Sequence, residues 1–203
     1  MKTLTRARSL WLALAFAAGT AGCTTPAYVS PVEVTRFTGD QPNLLRSGPI
    51  SVRAAPGEQP DSWDYEAFQT AVAEELRQLG YVVTGDAADQ VAEVRVERFV
   101  EGRRERRSPV SVGVGGGTGS YGSGVGAGVG INLGGGGSAE EIATQLQVMI
   151  KPAAGGTALW EGRARFTATS NSDYADRRAA AAKLADALFD GFPGRSGETI
   201  EVR

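Results

Sequence analysis

From Trp63 to Leu79, apolar residues recur at Tyr65, Phe68, Val72, Leu76 and Leu79. That three- and four-residue spacing lines one face of a helix. Asp61 or Ser62 supplies the short side-chain acceptor that a first helical turn needs. Gly80 offers the left-handed residue that ends a helix, with Tyr81 placed to fold back on the last turn. A second helix is predicted over roughly 174–189, with Ala181, Leu184, Ala185, Leu188 and Phe189 as its apolar stripe. Ser170 to Asp173 offer its caps, and Pro193-Gly194 closes it.

The remaining pattern has period two. Val32–Phe37, Ile50–Arg53, Tyr81–Thr84 and Val91–Val100 read as strands, the last losing its register beyond Arg98 as a bulge would make it do. Thr144, Leu146, Val148 and Ile150 alternate with polar neighbours and Met149, giving a strand with one buried face. After the turn "PAAGGT", Trp160, Gly162, Ala164, Phe166 and Ala168 form the inward side of an antiparallel partner, which makes Trp160 a core residue. Thr199–Val202 is a last short strand. The predicted fold is α+β: a mostly antiparallel sheet of about six strands, with two amphipathic helices packed on one face.

Between these halves lies a glycine-rich stretch, residues 108–138, that carries no charge and has 14 glycines among residues 113–137. Gly117 to Gly122 matches the letters GxGxxG, but no strand-to-helix context surrounds it and no Walker lysine follows, so it is not a nucleotide fingerprint. Glycines at 122, 126, 130 and 134 mimic a helix-packing repeat. Each glycine costs a helix about 0.8–1 kcal/mol relative to alanine, and strict alternation produces four-residue spacing anyway. Period two is the simpler description, with Val125, Ala127, Val129, Ile131 and Leu133 on one face. The stretch is predicted as a glycine-rich β-hairpin or loop, with insertion into a membrane or partner as the remaining alternative.

Composition narrows the chemistry. The chain has no histidine and one cysteine, Cys23. Histidine-dependent triads and histidine-ligated zinc are therefore excluded, and no disulfide can form within the chain. Lys2, Arg6 and Arg8 precede the apolar run Leu10–Ala18, which is of signal-peptide length and too short to span a bilayer. Thr20-Ala21-Gly22-Cys23 then looks like a lipobox, with threonine where leucine is usual. Residues 1–22 are expected to be a lipoprotein signal peptide, Cys23 the lipidated residue, 23–31 a tether and 32–203 a single domain. Thr24 after the cysteine favours the outer membrane. The formal charge is −2, and the first 22 residues carry three positives and no acid, so the remainder sums to −5. That balance argues against nucleic acid as a partner.

Four arginines, Arg103, Arg104, Arg106 and Arg107, surround Glu105 at a strand end. Guanidinium matches phosphate geometry, so lipid headgroups are one target. A solvated strand end whose charges discourage edge pairing is the plainer reading. With Val125, Val129, Ile131 and Leu133 they form the candidate lipid or partner contact. Asp61, Asp64 and Glu66 complement a helix dipole. Asp86 and Asp89 are turn residues without the further oxygens of a calcium loop. No metal, cofactor or catalytic constellation is expected.

Taken in order, several pieces resemble a family of bacterial lipoproteins that carry the domain DUF4136. They are the lipobox cysteine, "ELRQLGYVVT" (75–84), Ala88-Asp89, the Gly/Tyr-rich middle, "ATQLQVMIK" (143–151), "ALWEGRA" (158–164) and "ALFDGFPG" (187–194). The resemblance covers about residues 30–194. It implies an envelope protein and brings no activity or catalytic residue with it. The expected role is non-enzymatic: a lipid-anchored protein on the periplasmic side of the outer membrane, acting in structure or assembly through a protein or lipid partner. A small-ligand or phospholipid and lipopolysaccharide headgroup binder is the alternative.

Overall fold

A computed structural model of the chain describes residues 26–59, 63–85, 87–104 and 139–203. The strands are β1 (Val32–Thr38), β2 (Pro49–Ala54), β3 (Val82–Val83), β4 (Gln90–Arg104), β5 (Ala139–Pro152), β6 (Trp160–Thr169) and β7 (Thr199–Val202). Two helices, α1 (Trp63–Gln78) and α2 (Arg177–Phe189), interrupt them. The strands make one sheet in the order β3-β2-β4-β5-β6-β1-β7. Thr199–Val202 pairs with β1, which brings the count to seven. Most pairings are antiparallel; β2 runs parallel to β3 and β4, as a crossover through a helix requires.

Alternation decides which face the helices cover. Register partners share a face, so Val96, Leu146, Ala164 and Val34 form one row across four strands, and Ala92, Ile150 and Trp160 another. These residues, Val96 excepted, are buried. On α1 the predicted stripe is buried from Tyr65 through Phe68 and Val72 to Leu76, with Leu79 partly buried. On α2 all five predicted stripe residues are buried, together with Ala180 and Ala187. The opposite face is a polar ladder: Lys151 Nζ lies 2.7 Å from Glu93 Oε1, and Gln147 donates to Glu161 at 2.9 Å. One dry face and one wet face is what the period-two pattern demands of an antiparallel sheet.

The ends of the elements follow from single residues. Gly80 takes φ +90 after α1, its N–H donates to Arg77 O at 3.0 Å, and that of Tyr81 donates to Leu76 O at 3.0 Å. This is the Schellman closure that the leucine-glycine-tyrosine piece predicts. The start of α2 differs from expectation. Residues 173–175 form a 3-10 turn, so the helix begins at Arg177 and Asp176 is its cap, accepting from Arg178 N at 2.9 Å and Ala179 N at 3.1 Å. The bulge beyond Arg98 falls between Val100 and Gly102, after which β4 continues to Arg104 opposite Ala139. The expected caps Asp61 and Ser62 lie outside the described residues, as does Asp86.

Candidate functional site

Three of the motif pieces behind the family resemblance, 75–84, 158–164 and 187–194, meet at one corner of the fold. Trp160, fully buried, stacks on Phe189 with centroids 5.4 Å apart and tilts against Phe192 at 5.0 Å. Its indole N–H donates to Pro193 O at 2.9 Å. Gly162 has no room for a side chain, since a Cβ there would sit 2.3 Å from the Trp160 ring and 2.8 Å from Leu188 Cδ1. Arg36, buried on β1, donates from Nε to Leu188 O and from Nη2 to Ala187 O, both at 2.9 Å, and so occupies the open carbonyls at the end of α2. Burial lowers the basicity of its guanidinium, while Asp190 and Glu198 act against that. Arg46 joins the remaining piece: its N–H donates to the Tyr81 hydroxyl at 2.8 Å, its Nη2 to Phe192 O at 3.1 Å, and its guanidinium lies over the Phe192 ring. These contacts consume the polar atoms that make them. The corner locks α2 and its exit loop onto the sheet.

The other end of the sheet is built differently. The chain enters there: Thr169 N–H donates to Tyr28 O at 2.9 Å, Tyr28 N–H donates to Thr169 Oγ1 at 2.9 Å, and Val29 bridges Ala168. At the same level Glu141 faces Thr169 and Gly102, and one step further Arg103 and Arg104 face Glu140 and Ala139. The entry segment therefore lies three strand spacings from β4, about 14 Å. The ends of β4 and β5, from which residues 105–138 depart, are paired with each other. The N-terminus of α2 also opens at this level, because Arg98 donates to Ala175 O.

Large apolar side chains are exposed here. Tyr28 is 36% exposed, Phe99 46% and Val100 58%. Phe99 and Val100 are consecutive, so they project from opposite faces of β4 and straddle the sheet. Arg165 sits over the Phe99 ring, 5.6 Å from its centroid, and pairs with Glu101, which also accepts from Thr167 Oγ1 at 3.0 Å. On the helix side, Arg98, Val100, Ile142 and Ala175 line an open groove of about 350 Å³ with Asp176 and Arg177. Asp176 holds its carboxyl below the usual carboxylate range, chiefly through the Ala179 N–H and then that of Arg178. A larger groove of about 630 Å³ runs between α1 and α2, walled by Glu66 and Glu74 on one side and Arg178 on the other. Among the described residues, no group of three or more Cys, Asp or Glu side chains is placed to hold a metal ion. None of the described helices is long and apolar enough to cross a membrane.

Of the candidate contact residues, Arg103 and Arg104 take their places in β4; nothing further of their side chains is described. Cys23, Arg106, Arg107, Val125, Val129, Ile131 and Leu133 lie outside the described residues. Sequence reasoning missed Tyr28, placed in the tether, and the Phe99-Val100 pair. The pair had a signal: two large apolar residues in succession break the alternation just where a strand face should be polar.

The described fold is thus a one-sheet α+β domain whose signature residues hold an aromatic corner. The chain belongs to the family described as Domain of unknown function (DUF4136), which it matches over residues 46–194. An uncharacterized protein of Zymomonas mobilis is 38% identical over 66 residues, a stretch that covers 32% of this chain and 25% of that protein's length. Among solved structures, the PelC dodecamer from Paraburkholderia phytofirmans aligns over 81% of this chain and 99% of that one, at 18% identity and a TM-score of 0.45. A PDZ domain protein from Parabacteroides distasonis aligns over 94% of this chain and 42% of that one, at 15% identity and a TM-score of 0.44.

Proposed function

We propose that the chain is a lipid-anchored envelope protein: residues 1–22 are its signal peptide, Cys23 its acylated residue, and 23–31 the tether of a periplasmic, non-enzymatic domain on the outer membrane. Its role is structural or in assembly, through a protein or lipid partner met on the membrane side. The observation that carries this reading is the common end of the sheet. The described chain enters at Tyr28 beside Thr169, and Arg104 and Ala139 close the paired ends of β4 and β5 at that same end of the sheet. An anchor at Cys23 would hold that end of the sheet near the bilayer.

Replacing Cys23 by alanine tests the anchoring. The proposal expects the Cys23→Ala chain to move from the membrane fraction to the soluble periplasmic fraction; unchanged membrane retention would contradict it. A headgroup-binding role is favoured by the place of Arg103 and Arg104 at that end. It expects phospholipid or lipopolysaccharide to raise the melting temperature, and the rise to shrink when Arg103, Arg104, Arg106 and Arg107 are neutralised.

A further inference from the structure

We infer that the end of the sheet bearing Tyr28, Phe99 and Val100 rests on the bilayer surface, with these apolar side chains entering the boundary between headgroups and acyl chains. The inference rests on the proposed acylation of Cys23 and adds the orientation and the contact. Tyr28 is fixed to Thr169 through its backbone N–H and C=O. Only four residues lie between it and Cys23, five steps along the chain. A fully extended chain of that length reaches about 16–18 Å at most. The headgroup layer itself occupies about 5–7 Å on each side of the hydrocarbon core. The tether lets Tyr28 stand at most about 9–13 Å beyond the headgroup layer, and its entry point decides which end of the sheet is close.

What that end exposes fits an interface. Tyr28, Phe99 and Val100 are three of the five large apolar side chains left exposed among the described residues; the others are Phe37 and Val82. Aromatic rings with one polar edge favour the membrane–water boundary. Part of the charge at this end is paired. Arg165 is paired with Glu101, and Asp176 caps the helix ahead of Arg177 and Arg178. Arg103 and Arg104, at the end of β4, add charge that anionic headgroups can meet, whereas the contact made by Tyr28, Phe99 and Val100 is apolar and interfacial in character.

The test uses the full, acylated chain reconstituted in vesicles. A polarity-sensitive fluorophore is attached through Phe99→Cys, Val100→Cys or, at the far end of the sheet in the exposed β5–β6 turn, Thr157→Cys. Lipids carrying a nitroxide near the headgroup act as quencher. The expected result is loss of fluorescence at positions 99 and 100 and background quenching at 157, retained at high salt and in phosphatidylcholine vesicles without anionic lipid. Equal quenching at all three positions, or quenching at 157 alone, would overturn the inference. Quenching that requires phosphatidylglycerol and vanishes in salt would overturn the apolar contact and assign the surface to charge. The mass of the same samples separates the two layers of the account. Acylated chain with an unquenched sheet end defeats only the docking, whereas unmodified Cys23 with no vesicle binding defeats the anchor and the docking together. Two labelled positions, each checked by its melting temperature against the unlabelled chain, guard against one misfolded variant.

Discussion

At the scale of single residues, Trp160 shows how a motif that looks functional is spent on structure. It lies fully buried on the inward face of β6, where alternation had placed it, and its polar atom is engaged by Pro193. Removing the ring in Trp160→Ala is expected to cost about 3–5 kcal/mol, the range for large aromatic truncation in a core. Chemical denaturation checks it. Gly162→Ala should destabilise by about 1–3 kcal/mol through overpacking against Trp160 and Leu188. Titration supplies a further expectation. Burial pushes the Tyr65 hydroxyl up to about 12, and it raises Tyr81 as well, partly offset by the Arg46 N–H. A raised folded pKa means the unfolded chain loses its proton first, so the stabilisation is complete below about pH 10 and fades as pH climbs toward 12. Denaturation midpoints measured from pH 9 to 12 should therefore fall, and fall less in Tyr65→Phe.

At the scale of elements, most of the fold was legible because each element rests on one periodicity and one punctuating residue. The stripe from Tyr65 to Leu76 and the glycine at 80 locate α1 and its end without tertiary information. Gly80→Ala forces a side chain into φ +90 and should cost about 1–2 kcal/mol. The start of α2 was not legible in the same way. Ser170, Ser172, Asp173 and Asp176 all have cap chemistry, and the choice among them fell to the 3-10 turn at 173–175, which tertiary contacts such as Phe166 against Tyr174 support. The bulge at β4 was visible only as a loss of alternation. Its partner register, Gly102 opposite Glu141, depends on β5 and cannot be read from β4 alone. The parallel pairing of β2 with β4 is likewise a fact about neighbours in space.

At the scale of the whole molecule, the described residues make one compact unit, 26–104 with 139–203. Residues 105–138 join two strand ends that already face each other, Arg104 and Ala139. Replacing that segment by a short turn should leave the unit folded. Closing a loop of about 4 rather than 34 residues gains roughly 2 kcal/mol at about 0.6 kcal/mol per doubling, so the melting temperature should hold or rise. A collapse of the fold on this deletion would mean the segment belongs to the core. The candidate site was only half legible. The arginine run announced itself by charge, but the place of Arg103 and Arg104 at the same end of the sheet as Tyr28 is a product of sheet order: β6 and β5 lie between the entry segment and β4, and no spacing in the sequence records that.

The central claim, that the domain is held at the membrane through its entry segment, is tested most directly by the mass of the mature chain expressed in a Gram-negative host. The account expects a chain that begins at Cys23, carries diacylglyceryl and N-acyl groups on that residue, and sediments with the outer membrane. A chain whose Cys23 is unmodified, recovered in the soluble fraction, would contradict it.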